Sequence, residues 1–307
     1  MAQLVGASGT PATRFHREWR EWLLFVLFVA PNLLLFGLFN FRPLVYNAYL
    51  SLTDWNMISP VADFVGLENY REVFTSAEFH RVLLNTFVLT VGSVAGTLLL
   101  GLAMALLLNQ RLRFRDTSRS VLFSPYVLSG AAIAVVWAYI FDPSYGLVRT
   151  LLSPFGLPAP NWLRDPNWAM AGVTIVYVWK YLGFAMVVFL AGLQAIPREL
   201  YEAAHIDGAS VWGRFRHVTL PGLAPITFFL LVTSVLLNFQ QTFDIIHTMT
   251  RGGPVDATTT LIYYLYEQGF VAFNAGRAGV AAVVLFVLLL IMTIVQVRYV
   301  ERRVDYG

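Results

Sequence analysis

A chain of 307 residues that is 57% hydrophobic and 13% charged, with a mean hydropathy of +0.63, is too apolar to be an ordinary water-soluble globule. Its net charge of +3 is small, and its basic residues sit in short loops beside apolar stretches, which excludes a nucleic-acid footprint. Cysteine is absent, so disulfides and thiolate metal sites are excluded too.

The remaining class is an all-α polytopic membrane protein, because spans satisfy their polar backbone only as helices packed together. Six apolar stretches, near 22–40, 82–108, 120–141, 168–193, 223–247 and 278–298, suit the roughly 20 residues that a bilayer crossing needs. The first follows Arg14, Arg17 and Arg20 and is flanked by Trp19 and Trp22. It is too long for a signal-peptide core and lacks a small-residue cleavage site, so it is expected to be retained. Arg111, Arg113, Arg115 and Arg119 lie between spans two and three, Arg198, Arg214 and Arg216 between four and five, and Arg298, Arg302 and Arg303 at the end. By the positive-inside rule both termini and the loop between spans four and five are cytoplasmic. The expected organisation is a cytoplasmic tail over 1–21, a six-helix transmembrane domain over 22–298 with an inner loop over 194–222, and a cytoplasmic tail over 299–307.

The outer segments carry their own signals. Residues 54–81 hold Gly66-Leu67-Glu68-Asn69-Tyr70 and then an amphipathic helix expected through Val73, Phe74 and Phe79. Five prolines within 142–167 predict an irregular cap. Residues 250–276 hold the turn Arg251-Gly252-Gly253-Pro254 and the aromatic stretch Tyr263-Tyr264-Leu265-Tyr266. No internal repeat is visible.

The inner loop is the most patterned segment. Pro197 fits the first turn of a helix, Gly208 the left-handed position that ends it, and Ser210 the N-cap of a second. In that second helix Val211, Trp212, Phe215 and Val218 are expected on one apolar face, with Arg214, Arg216 and His217 turned away. The result is two short helices joined by a glycine turn, presented outside the bilayer.

This loop resembles the EAA motif of ABC importer permeases, through Glu202-Ala203-Ala204, Asp207-Gly208-Ala209, Phe215, Leu220-Pro221 and Pro225. Outside it, Gly66-Leu67-Glu68-Asn69-Tyr70, Asn85-Thr86, Trp179-Lys180, Met249-Thr250-Arg251-Gly252-Gly253-Pro254 and Thr258 to Tyr263 are similar to the MalF-like carbohydrate and glycerol-phosphate branch. With the tail from Val295 to Glu301, they look most like the first permease subunit of sn-glycerol-3-phosphate or glycerophosphodiester importers. The resemblance implies the type I importer permease fold in a bacterial cell membrane. It also implies a second homologous permease, two ATPase subunits, an extracytoplasmic substrate-binding protein and contact with membrane lipid. Glu202, Ala203, Ala204, Asp207, Gly208 and Ala209 would then form the ATPase-coupling site. Glu202 pairs with a cation on the ATPase, while Asp207 is either a contact or a turn residue bonding backbone amides. This chain has no Gly-x-x-x-x-Gly-Lys-Ser/Thr loop, so no cofactor is expected on it, and ATP and Mg belong to the ATPase subunits.

Polar residues within spans are the other candidates. Lys180, the only lysine, falls near the middle of span four, where an unpaired charge costs at least ~2.5–3.5 kcal/mol. It pairs either with substrate or with a carboxylate or helix carbonyls inside the bundle. Span five carries Asn238, Gln240, Gln241, Thr242 and Asp244 within seven residues, which favours a substrate pathway over hydrogen bonding to a partner helix. The expected pathway set is Lys180, Tyr181, Asn238, Gln240, Gln241 and Asp244, with Asp244 a possible ion-pair partner for Lys180. Asn85 reads as a cap, and no catalytic or metal-binding constellation is found. A neutral sugar is the alternative substrate. An ion-coupled secondary transporter is the alternative class, expected to show broken helices that the sequence does not reveal.

Overall fold

The computed structural model describes residues 11–110 and 113–300. Its helices run in order α1 (Pro11–Phe36), α2 (Arg42–Leu50), α3 (Glu68–Thr75), α4 (Ala77–Leu108), α5 (Arg115–Val127), α6 (Gly130–Ile140), α7 (Leu147–Leu152) and α8 (Pro166–Ala195). They continue as α9 (Arg198–Ile206), α10 (Val211–Arg214), α11 (Leu220–Gly222), α12 (Ala224–Met249), α13 (Leu261–Tyr266) and α14 (Ala275–Val295). Two-residue strands β1 (Thr53–Asp54) and β2 (Asp63–Phe64) pair antiparallel between α2 and α3.

Five unbroken helical stretches are long and apolar enough to cross a membrane: Trp22–Leu50, Ala77–Leu108, Pro166–Ala195, Ala224–Met249 and Ala275–Arg298. Their outer starts are capped as the sequence allows. Ser76 accepts from the Phe79 N–H, Asp165 from Asn167, and Asn274 from Arg277, each cap worth about 1 kcal/mol. Span one runs ten residues past its expected end, through a π-turn at Gly37–Phe41, and so takes Arg42 into its helix.

Span three departs from expectation. In place of one helix over 120–141, α5 and α6 meet at 105° across Leu128 and Ser129, and count as a sixth span only as a bent pair. With 13 and 11 residues, each is too short to cross alone. Pro125 in the last turn of α5 lacks the N–H the helix needs, Leu128 and Ser129 are extended, and Ser129 caps α6 through the Ala132 N–H. A broken helix is therefore present although the hydropathy pattern runs straight through it.

The centre of the bundle is α4 against α8. Gly96 and Gly101 leave room for no side chain of their own, since a Cβ would lie 2.8 Å from Val178 and 2.7 Å from Ala185. Small residues let the two backbones approach, the usual basis of helix pairing in lipid. In span one the apolar window has no buried residues, and its contact with the bundle is α2 against α14.

The outer segments are stapled together by the motif around Asn69. Its amide donates to the carbonyls of Ser51 (3.0 Å) and Thr53 (2.9 Å), while the Tyr70 and Ser51 hydroxyls share a bond of 2.8 Å. Gly276 at the start of span six packs against the same amide, and Arg277 pairs with Glu72 at 3.1 Å. The amphipathic helix expected through Phe79 is cut at Ser76. Val73 and Phe79 are buried on either side of the cut, and Phe74 faces out. Residues 142–167 are irregular apart from α7 and a 3-10 turn at Ser153–Phe155.

Candidate functional site

The segment from Ile196 to Leu223 forms the hairpin that the sequence predicts. α9 ends in a Schellman motif: the Ala209 N–H reaches the Ala204 carbonyl (2.9 Å) and the Gly208 N–H that of His205 (3.1 Å). Gly208 takes φ +75°, the left-handed position that only glycine adopts without strain. Ser210 then caps α10 through the Gly213 N–H at 3.1 Å. Pro197 sits at the N-cap itself, one residue before its expected place. Asp207 is exposed and its carboxylate bonds no backbone amide among the described residues, so the turn is closed by the backbone alone.

One side of the hairpin is anchored. The Tyr201 hydroxyl meets Thr219 Oγ1 at 3.1 Å, and Ile196, Tyr201, Val218 and Leu223 pack with Ala105, Leu108, Phe189 and Leu193 at the ends of spans two and four. The other side is open. Glu202, Ala203, His205, Asp207 and Gly208 are exposed, and Ile206 (85%), Val211 (75%) and Trp212 (65%) present bare apolar surface. Ala204 and Ala209 are half-buried, and Glu202 makes no ion pair among the described residues. The single apolar face expected for the second helix is split, because a π-turn over Phe215–Thr219 shifts the period. Arg214, expected to turn away, lines a groove of about 660 Å³ with Leu106, Tyr201, Trp212 and Phe215.

Lys180 is buried, 3% exposed, and its ammonium donates to the carbonyls of Pro125 (3.4 Å), Tyr126 (3.2 Å) and Leu128. These carbonyls lie where α5 stops, at the negative end of its dipole, and that of Pro125 also accepts from the Leu128 N–H. The Tyr181 ring lies 5.2 Å from the same ammonium. Lys180 and Asp244 form no ion pair. Asp244 is exposed and lies against Gly130 at the amino end of α6, where an added Cβ would come within 3.1 Å of its own Cβ.

The polar run of span five does not share one face. Asn238 is 2% exposed and accepts from Thr90 Oγ1 of span two at 3.0 Å, while its Nδ2 finds no partner among the described residues. Thr242 turns back to the Asn238 carbonyl. Gln240 is exposed and Gln241 half-buried, so Gln240, Gln241 and Asp244 are the polar groups left facing outward from the core.

Above them stands an aromatic wall that sequence reasoning missed. Phe243 stacks on His247 (5.4 Å, 14°) and meets Tyr266 edge-on at 5.1 Å, Tyr263 lies 6.0 Å from Phe243, and Phe270 stacks on Tyr266. The i, i+4 spacing of Phe243 and His247 was the available signal. Tyr264 belongs elsewhere, buried against Phe79. The loop between α12 and α13 is a closed knot. Asn85 donates to the carbonyls of Asp256 (2.7 Å) and Thr259 (3.1 Å), Arg81 to Val255, and Thr258 and Thr259 to Gly253 and Gly252. Glu267, half-buried just after α13, has its carboxyl pushed up to about 7 by burial, with Asp256 and Glu78 adding to it.

Residues 97–306 match the family of binding-protein-dependent transport system inner membrane components. A probable ABC transporter permease protein of Pyrococcus horikoshii is 37% identical over 251 residues, 81% of this chain and 86% of that one. The sn-glycerol-3-phosphate transport system permease protein UgpA of Pectobacterium atrosepticum is 35% identical over 95% of this chain and 97% of its own. That of Rhizobium meliloti is 37% identical over 92% and 96%. Among solved structures, a bacterial ABC transporter for the acidic polysaccharide alginate contains a chain with a TM-score of 0.81 at 24% identity, covering 95% of this chain and all of that one, which speaks for the fold.

Proposed function

We infer the function from one premise: the chain belongs to the family of binding-protein-dependent transport system inner membrane components. It is a multi-pass inner-membrane permease subunit of an ABC importer, not an ion-coupled transporter, and works with a substrate-binding protein.

The observation that carries the finer reading is the hairpin, anchored to the bundle on one side and bare on the other. Its bare side docks, on the cytoplasmic face, into a cleft of an ATPase subunit. Two such subunits hold ATP and Mg and supply the energy, while this chain binds no cofactor and a second homologous permease completes the pathway. Glu202 pairs with an ATPase cation, exposed Asp207 is a contact beside it, Ala203, Ala204 and Ala209 permit close approach, and Gly208 sets the turn. Closure of the ATPases moves the hairpin and, through it, spans four and five.

The substrate is glycerol-3-phosphate or a glycerophosphodiester, a reading supported by the transport systems named for its relatives. Gln240, Gln241 and Asp244 suit glycerol hydroxyls as hydrogen-bond partners, and the aromatic wall suits the carbon frame. Lys180, Tyr181 and Asn238 shape the pathway from behind. Since Lys180 is committed to helix carbonyls, the phosphate meets its cation on the second permease. The same commitment, beside an exposed Asp244, favours a neutral sugar as the second reading. The test is ATPase stimulation of the reconstituted complex by binding protein loaded with glycerol-3-phosphate, glycerophosphocholine or a disaccharide. Stimulation by the disaccharide alone overturns the glycerol-phosphate reading.

A further inference from the structure

Span three is divided between two neighbours. α5 packs on span four and α6 mainly on span five. On span four, Gly183 lies so close to the Leu122 carbonyl of α5 that any Cβ would collide with it. On span five, Asp244 packs more loosely against Gly130 of α6, where an added Cβ would lie 3.1 Å from its own. Each half is therefore seated on a different helix through a glycine contact, and the extended pair Leu128-Ser129 joins the seats.

Two charges flank that joint from opposite sides. Lys180 of span four binds the carbonyls that end α5, where the helix dipole is negative. Asp244 of span five stands at the amino end of α6, where the dipole is positive. They sit at the two helix ends and form no ion pair with each other. The spans that bear them are also the two joined directly by the 196–223 hairpin.

We propose that the Leu128-Ser129 break is a hinge set by the relative position of spans four and five, with Lys180 and Asp244 as its positioning residues. A stroke received by the hairpin then changes the bend of span three instead of tilting a rigid bundle. This rests on the coupling role proposed above for the hairpin. Seated on separate spans, α5 and α6 follow different helices when those move, and the joint, two extended residues bonded only to the ends of the two helices, is where the difference is absorbed.

The chain has no cysteine, so introduced thiols are the only labelling sites. Val121→Cys on α5 and Val135→Cys on α6, both well exposed, carry spin labels in the complex with its partner permease and ATPase subunits in lipid nanodiscs. The distance between them should shift between the nucleotide-free and ATP-vanadate-trapped states. A control pair, Val121→Cys with Val187→Cys on span four, should stay fixed. Lys180→Met should abolish the shift, and Lys180→Arg should restore it. A pure packing role would lower turnover and stability together and leave Lys180→Arg no better. An unchanged α5–α6 distance in a complex that still couples ATP turnover to loaded binding protein overturns the hinge and leaves the importer reading intact. Should Lys180→Met fail to assemble, the pair without that substitution decides alone. An ATPase that does not bind the hairpin sinks the coupling reading first, and the hinge with it.

Discussion

The hairpin over 196–223 and the outer loop over 250–260 lie at opposite ends of span five, and both are short, polar and bent at glycine. The hairpin closes its turn with backbone bonds and leaves Glu202, Asp207 and Trp212 exposed. The 250–260 loop has backbone bonds too, but side chains of Asn85, Arg81, Thr258 and Thr259 are also bonded to its carbonyls. A segment whose side chains are already used holds a shape, and one whose side chains are free can grip a partner. The first resists change, and the second transmits it.

The contrast is open to breakage at four points, in falling order of effect. Glu202→Gln should uncouple the complex: ATP turnover stops responding to loaded binding protein and uptake falls about a hundredfold, with the melting temperature unmoved. Normal uptake would show that Glu202 does not grip the ATPase. Asn85→Ala should do the reverse, costing about 1–3 kcal/mol of stability by orphaning two carbonyls while ATP turnover remains coupled. Loss of coupling there, at full stability, would mean the two loops do not divide the work. Gly208→Val should strain the hairpin by about 1–2 kcal/mol and weaken ATPase co-purification, whereas Gly208→Asn stays close to native. The smallest effect concerns Glu267. Its carboxyl is raised from 4.5 to about 7 in the fold, so the stability it contributes is present at low pH and lost as pH rises through about 7. Thermal melts between about pH 5 and pH 8 should show this fall, and Glu267→Gln should flatten it.

What the sequence made legible was local. The apolar stretches, the cap at Ser210 and the left-handed turn at Gly208 depend on neighbours within a few residues, and the local sequence records them. The break in span three was not legible, although Pro125 and Ser129-Gly130 mark it. Its bare carbonyls are satisfied by Lys180, 55 residues beyond Pro125, and no window of hydropathy reaches so far. The same distance hid the partner of Lys180 itself. The sequence groups Asn238, Gln241 and Asp244 as pathway residues, yet the bond from Thr90 of span two holds Asn238 inward. Tyr263 and Tyr266 of the aromatic wall come from α13, so the i, i+4 pair Phe243 and His247 on span five could have signalled only part of it.

The capping of α5 by Lys180 also fixes an order of events during synthesis. Span three leaves the ribosome before the residue that satisfies its broken end, and a hydrocarbon environment tolerates no bare carbonyls in the interval. The bent form thus becomes stable only once span four has entered, so the two are integrated as a pair. A chain truncated after residue 165 should leave 115–140 accessible to protease from the side where the hairpin would later form, and extension through residue 195 should protect it. The lysine that serves the mature transporter is, in this sense, first a requirement of the nascent one.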